Sequence, residues 1–464
     1  MMKVPVGRSF VLDDPGLFRR PMVTFHLDKD TQSTLHRGEM QPLLSRLSSG
    51  LLLAGCFTCA VLGQQAAQKT MTWRQAREEF EKSNPTLRAA RLGIDESRDE
   101  EITAYLRPNP DLTVSLDQLN PFSDNPVRKY SPFSEALPFV SSSYLHERGH
   151  KRELRLESAQ KATAIAQSQL ADQERNLIFN LRNAFVQALQ AKAVRDLAKE
   201  NLAYFEHEFG ISQDRFKAGD IARVDLDRLE LQLPTYQSDL QTAEVNLRTA
   251  KIQLLQLLND RMPIEQFDVQ GPFEFSEQIP APEELRRIAM EERPDLKAAA
   301  QSVDKAQTDY KLAVANGSAD PTFGIDFGRN PPIPVYMGVS VTIPLRIFDK
   351  NQGEKARTRV DITRSERLRD AAQAQVFSDV DSAYATILNT VTLLRPYKTR
   401  YLPTAGRVRD TIAFSYQRGQ AALVDYLDAQ RDYRAVQVSY LNLVGSYLSA
   451  ASQLNLAVGR EVIQ

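Results

Sequence analysis

The sequence predicts an α+β membrane protein in which long antiparallel coiled-coil helices are joined to four β-strands in a chain written twice. Three observations point there. The stretch from Arg152 to Phe209 contains neither Gly nor Pro. A helix of that length would run on the order of 85 Å at about 1.5 Å per residue, more than a globular core needs. Two remote segments, FKAGDIARVDL (216–226) and YQRGQAALVDY (416–426), align in one register at Gly219/Gly419, Ala222/Ala422, Val224/Val424 and Asp225/Asp425. Between the helical runs lie segments of two-residue alternation, apolar on one side and polar on the other, which suit strands of a membrane barrel.

The N-terminus reads as an export segment. An apolar run, LSSGLLLAGCFTCAVLG (47–63), follows Arg46. It is short for a spanning helix and fits a signal-peptide core. Residues 1–39 resemble no ordinary leader, and Met40 offers an alternative start. Two processing routes are open: an ordinary cut before Gln64, or lipidation of Cys56 at the lipobox-like Leu53-Ala54-Gly55-Cys56. Phe57 and the apolar run after Cys56 argue against lipidation. Residues 1–63 are therefore set apart from the mature chain.

Composition removes several function classes. The 464 residues carry a formal net charge of -1, which gives no electrostatic reason to expect nucleic-acid binding. Both cysteines, Cys56 and Cys59, lie in the export segment, so no disulfide or thiolate metal site is available beyond it.

The repeat carries the rest of the chain. NPTLRAA (84–90) pairs with RPDLKAA (293–299), and PDLTVSLD (110–117) with PTFGIDFG (321–328). Ordered matches over this span predict a first repeat at 72–260, a Pro-rich connector at 261–284 and a second repeat at 285–460. Each repeat opens with a helical segment (86–107; 295–316). Two strand-like runs follow, then two long helices around a Gly turn. The helices carry coiled-coil spacing at Ala198, Leu202, Phe205 and Phe209, at Tyr236, Leu240, Ala243 and Leu247, and from Tyr433 through Tyr440 and Tyr447 to Val458.

The strands set Leu112, Val114 and Leu116 against Thr113, Ser115 and Asp117. Phe323, Ile325 and Phe327 oppose Thr322, Gly324 and Asp326. Val335, Met337, Val339, Val341 and Ile343 oppose Tyr336, Gly338, Ser340 and Thr342. A further strand is expected near 138–147. The loops joining paired strands, 117–138 and 328–334, are Pro-rich and belong outside the membrane. Four strands cannot enclose a water-filled lumen, since even about eight leave an interior filled by side chains. A pore therefore requires several copies. Phe122, Tyr130, Phe133, Phe139, Tyr144 and Tyr336 are candidates for an aromatic belt.

One motif points elsewhere. HERGH (146–150) satisfies the zinc-peptidase string H-E-x-x-H, which needs both His on one helix face. Ser141-Ser142-Ser143 and Gly149 make a helix poor there. A metzincin would also need Gly and His where Glu153 and Leu156 stand.

The exported, duplicated chain with two hairpins and paired helices resembles the TolC-like outer-membrane efflux protein family. The telling residues are RFKAGDIARVDLDR (215–228) and YQRGQAALVDYLDAQRDY (416–433), with ERPDLKAA (292–299). IPLRIFDKNQGEKARTR (343–359) is most similar to the heavy-metal efflux branch. The resemblance implies a homotrimer whose twelve strands form an outer-membrane barrel continued by a helical tunnel, the α-barrel, into the periplasm. It implies a periplasmic adaptor and an inner-membrane pump of the RND type as partners, outer-membrane lipid around the barrel, no cofactor and no catalysis. In that family Gly149-His150-Lys151-Arg152 would mark the strand-to-helix junction.

The resemblance also implies a periplasmic gate. Asp425 and Asp428 match its constriction carboxylates, with Asp225 at the equivalent place in the first repeat, and Tyr416 matches a position that holds the tip closed. Ala421 stands where the family commonly has Arg, so Arg418, Arg223 or Arg431 would have to lock the gate. Asp227 and Arg228 are expected to pair within the tip. The turns, with Lys217, Gly219, Asp220, Gln417, Gly419 and Gln420, are the expected adaptor contacts. An exported helical scaffold without a pore is the competing reading.

Overall fold

The computed structural model describes residues 69–119 and 136–463. The export segment with Met40 and Cys56, and the belt candidates Phe122, Tyr130 and Phe133, lie outside these residues.

The first half runs β1 (Lys69–Met71), α1 (Trp73–Ser83), α2 (Pro85–Tyr105), β2 (Asp111–Asp117), β3 (Leu137–Leu145), α3 (Lys151–Ala218) and α4 (Arg223–Leu257). A linker strand β4 (Phe267–Val269) leads to the second half: α5 (Pro282–Glu292), α6 (Pro294–Asn316), β5 (Thr322–Asn330), β6 (Ile333–Thr342), α7 (Gln352–Pro396), α8 (Leu402–Gln417) and α9 (Leu423–Val458). Both halves break their leading helix before a proline. Asn84 and Arg293 take nearly the same extended geometry, φ -66° with ψ 119° and 120°. Proline disfavours the helical region for its predecessor and then sits well at the first helical position.

α3 is 68 residues long, about 100 Å at 1.5 Å per residue. α4 returns along it with Leu226, Leu229, Tyr236, Ala243, Leu247, Ala250 and Leu254 buried, a seam of three-, four- and seven-residue steps. In the second half, the run from α7 to α8 is one rod with a π-helical turn at Tyr397–Tyr401. Pro403 has no N–H for the carbonyl four residues back, and its ring crowds that carbonyl. The rod widens instead, and the Leu402 N–H donates to the Tyr397 carbonyl.

Three clusters make the core. One packs α1, α2, α3 and α4 around Phe80, Leu181, Phe185 and Leu254. A second packs α5, α7 and α9 around Leu285, Val380, Ile387 and Leu454. The third joins α3, α4, α8 and α9 near the helical turns. β1 and β4 pair in parallel, Lys69 opposite Phe267. This pairing is absent from the sequence reading because three-residue strands carry no alternation to detect. β4 is pinned by Asp268, which receives Lys192 Nζ at 2.5 Å and Lys251 Nζ at 3.1 Å. Burial works to raise that carboxyl, but the two ammonium groups outweigh it and hold it below the usual range.

The four-stranded sheet has the order β2-β3-β5-β6, antiparallel throughout. Its register puts Val114, Val140, Phe327 and Met337 on one rung, and Ser142, Ile325 and Val339 on another. Their face is apolar but for Ser142 and largely exposed, with Val339 79% and Leu112 71% accessible. The opposite face carries Thr113, Ser141, Asp326 and Gly338 on one rung. At Gly338 an added Cβ would lie 2.1 Å from Asp326 Oδ2, so the glycine leaves room for that carboxylate.

Several expectations are corrected here. Phe139 pairs with Ser115 and Gly328, and Gly328 with Tyr336. Phe139 and Tyr336 are therefore on the polar face and cannot belong to a lipid-side belt; Tyr144, opposite Phe323, is on the apolar face. The second hairpin loop is shorter than 328–334, since β5 and β6 continue to Asn330 and from Ile333. β3 ends at Leu145, after which the His146 N–H reaches across to Pro321 O and the Arg148 N–H to Asp320 Oδ1, both at 2.9 Å.

Candidate gate at the helical turns

Each long hairpin turns in the same way. Gly219 and Gly419 take φ of 85° and 74°, a region open to glycine at little cost. Asp220 N–H donates to Arg215 O at 2.8 Å and Gln420 N–H to Ser415 O at 2.8 Å. These six-to-one bonds cap the outgoing helices. Lys217, Gly219, Asp220, Gln417, Gly419 and Gln420 are all exposed.

The side chains behind the second turn are packed in. Tyr416 and Tyr426 stack, with centroids 5.0 Å apart and planes at 16°. Both are buried together with Leu423, Phe205, Leu229 and Tyr236. Phe205 stacks in turn on Tyr236 at 4.4 Å. Arg215 lies 5.5 Å from the Tyr416 ring. Burial raises the Tyr416 phenol above its ordinary value, Arg215 opposes the shift and Asp225 adds to it. Burial pushes Tyr426 up further, with Tyr204 and Glu208 adding to it.

Other contacts tie the first hairpin to the second. Arg434 on α9 pairs with Asp239 on α4 at 3.1 Å and stands 4.4 Å from the Tyr236 ring. Arg409 on α8 lies 4.1 Å from the Tyr433 ring and 5.7 Å from that of Tyr204 on α3. Gln430 donates to Tyr204 Oη and Gln417 to Glu208, both at 3.4 Å.

Asp425 and Asp428 are both exposed on α9, three residues apart. Among the described residues Asp425 makes no ion pair, whereas Asp428 receives Arg431 at 3.1 Å. Asp225 is half-buried.

Comparison with known proteins decides the family. The sequence model described as "Outer membrane efflux protein" matches residues 76–260 and 285–460. The chain belongs to the outer membrane efflux protein family. It is 25% identical over 387 residues to the cobalt-zinc-cadmium resistance protein CzcC of Cupriavidus metallidurans, covering 82% of this chain and 87% of that one. To the outer membrane protein TolC of Escherichia coli it is 21% identical over 428 residues, covering 88% and 84%. Among solved structures, CusC superposes with a TM-score of 0.69 at 17% identity, covering 86% of this chain and 96% of that one. The protein is thus an outer-membrane efflux channel of the tripartite type, with a helical periplasmic tunnel. Members of this family are conduits rather than enzymes and work with an adaptor and an inner-membrane pump.

Within this efflux channel, HERGH is a hinge between strand and helix. α3 begins only at Lys151, and Gly149 and His150 both take positive φ, 74° and 56°. His146 and His150 therefore share no helix face. Glu147 is engaged by Arg155, whose Nη2 lies 2.9 Å from Oε2. Lys151 is drawn under the junction by Asp320 at 2.5 Å and the Ser318 carbonyl at 2.9 Å.

The expected pairing of Asp227 with Arg228 is not formed. Adjacent helical residues point about 100° apart, and Asp227 takes Arg223, one turn back, at 2.8 Å. The three arginines named as substitutes for a basic residue at 421 are occupied locally. Arg223 is on Asp227, Arg431 on Asp428, and Arg418 stands 4.2 Å from the Phe414 ring. The residues that do cross between hairpins are Arg215, Arg409 and Arg434. Nothing beside them in the chain signals their partners Tyr416, Tyr204 and Tyr236, which lie on the other hairpin.

Proposed function

We propose that three copies of this efflux channel close their four-stranded sheets into a twelve-stranded barrel, and that the helical turns of the three copies meet at a periplasmic gate. The observation that carries this is the sheet itself. Among the described residues it ends in two edge strands, β2 and β6, and it exposes one mainly apolar face. Open edges do not persist in lipid, so closure needs further copies.

The gate reading rests on the exposed Asp425 and Asp428, with the half-buried Asp225 beside Tyr416. Three copies of Asp425 would form an anionic ring that favours cations and binds multivalent ones. Asp428 contributes less charge to its ring because Arg431 partly neutralises it. Tyr416 acts as a packing element behind the gate. The exposed turns at 217–220 and 417–420 are the surface offered to the periplasmic adaptor, with an RND-type pump behind it. The repeat boundaries 72–260 and 285–460, joined by 261–284, describe the two halves of this conduit. The likeness to CzcC favours metal ions over organic molecules as cargo, delivered by the pump rather than selected by the channel.

Single-channel conductance of the purified protein in a planar bilayer tests the reading. Small cation-selective openings are expected, enlarged and freed from trivalent-cation block in Asp425→Ala/Asp428→Ala. Pores that behave alike in wild type and variant would remove these carboxylates from the gate. A membrane-inserted protein that never conducts in either form would favour the scaffold.

A further inference from the structure

We propose that residues 345–348 form a collar that inserts into the periplasmic leaflet of the outer membrane, resting on the reading that the apolar face of the sheet meets lipid. The apolar alternation of β6 does not stop where its ladder stops. Ile333, Val335, Met337, Val339 and Val341 share one face, and the ladder ends at Thr342 opposite Thr322. Ile343, Leu345 and Ile347 continue the same two-residue spacing beyond it, and Phe348 follows. Leu345 is 79%, Ile347 65% and Phe348 91% exposed.

These residues are not needed to cross the membrane. A tilted barrel strand spans the hydrocarbon with about 9–11 residues, and β6 already has 10. The surplus falls at the helical end of the sheet, where acyl chains give way to headgroups. Large apolar side chains clustered in water are unfavourable, and contiguous patches of this kind mark contact sites.

The segment is also held in place. Asn351 donates through Nδ2 to Ala313 O on α6 at 2.8 Å. Lys350 N–H donates to Gln352 Oε1 and Asn351 N–H to Asp349 Oδ1, both at 2.8 Å. Beyond β6 the chain turns, the Ile347 N–H donating to Leu345 O at 2.9 Å, and leaves Leu345, Ile347 and Phe348 exposed.

The first half supplies matching residues at the same end. Tyr105 and Leu106, just before β2, are 46% and 60% exposed. Arg152 stands 4.3 Å from the Tyr105 ring and donates to its hydroxyl at 3.3 Å. An aromatic ring with a basic group beside it is the pairing that membrane interfaces favour. Arg107, Arg148 and Lys350 are exposed at this end, as lipid phosphates require. The collar thus adjoins the apolar face of β6 at the end of the sheet, and the basic groups exposed at that end select lipid, with its phosphates, as its occupant.

The chain has a single tryptophan, Trp73, so a Trp73→Phe background allows one reporter at a time. Phe348→Trp, Val339→Trp and Val424→Trp would each be reconstituted into vesicles of phosphatidylcholine brominated on the acyl chains. Phe348→Trp should lose fluorescence to the same extent as Val339→Trp on the sheet, while Val424→Trp at the turn keeps its signal. If Val339→Trp is quenched and Phe348→Trp is not, the segment faces water or a neighbouring subunit; the collar is then wrong and the lipid-facing sheet stands. If Val339→Trp escapes quenching too, the sheet reading fails and takes the collar with it. Leu345→Trp repeats the test should Phe348→Trp fail to insert.

Discussion

Ala222 and Ala422 open α4 and α9 with φ, ψ of -74°, 150° and -73°, 153°, and the glycines before them cap α3 and α8 with the same bonds. On this shared backbone the two turns bury different things. The first places Phe216, Arg223, Leu226 and Asp227 where the second has Tyr416, Leu423, Tyr426 and Leu427. Around the first turn, charges pair at the surface: Lys217 with Asp214 at 2.9 Å and Arg223 with Asp227 at 2.8 Å, all well exposed. Around the second, two tyrosines and a leucine enter the cluster shared with α3 and α4. A duplicated turn has thus been divided into a solvated member and an anchored one. Among the described residues neither following aspartate makes an ion pair; they differ in that Asp225 is half-buried and Asp425 exposed.

The largest test of this division is to hollow out each turn in the same way. Tyr426→Ala removes a buried ring and should cost about 3–5 kcal/mol of local stability, whereas Phe216→Ala, at a half-buried ring, should cost clearly less. Limited proteolysis at the turns, read beside conductance, checks this: Tyr426→Ala should be cleaved faster and conduct more, with Phe216→Ala close to wild type. Equal effects would erase the distinction between the turns.

Charge removal is the next step down. Asp425→Asn should abolish most trivalent-cation block, while Asp225→Asn, half-buried in the first turn, should leave it nearly unchanged. Arg431→Gln frees Asp428 and should strengthen the block. Block titrations in planar bilayers measure all three.

Alkali should separate the turns as well. Tyr416 and Tyr426 hold their phenols above the ordinary value of 10, because burial disfavours the phenolate. Their contribution is complete below that value and is lost as pH rises through the higher folded-state values. The closed turn should therefore loosen only above about pH 10, seen as rising conductance. Tyr416→Phe/Tyr426→Phe should reduce the alkaline rise, the remainder coming from Tyr204 and Tyr236, whose phenols burial also raises.

Which of these features could be read in advance follows from their physical range. Gly219 and Gly419 are legible because a positive φ restricts the residue type locally. The long helices and alternating strands are legible because their periods repeat over many residues. The short β1–β4 pairing leaves no period. Phe139 and Tyr336 were misassigned because aromatic character says nothing about parity, and one residue of register decides which face a side chain takes. Arg409 and Arg434 find their partners on other helices, and nothing near them in the chain signals Tyr204 or Asp239. The carboxylates could be named from resemblance, but the Arg431 partner that weakens Asp428 required the helix face to be built.

The smallest contrast concerns the arginines, and it asks whether crossing between hairpins matters more than pairing within one. Arg223→Ala breaks an exposed pair within α4, worth about 0.3–0.5 kcal/mol because water screens both charges. Arg434→Ala removes a pair with Asp239 and a contact with the Tyr236 ring; its side chain is 20% exposed and Asp239's 52%. A partly desolvated cation over an aromatic face is worth about 1 kcal/mol. Cross-linking Cys pairs placed on α4 and α9 would report hairpin separation directly. Arg434→Ala should reduce the cross-linking yield, and Arg223→Ala should not. If the two behave alike, the hairpins are held by the apolar seam of Phe205, Leu229 and Tyr236 alone, and the bridging arginine only shields it.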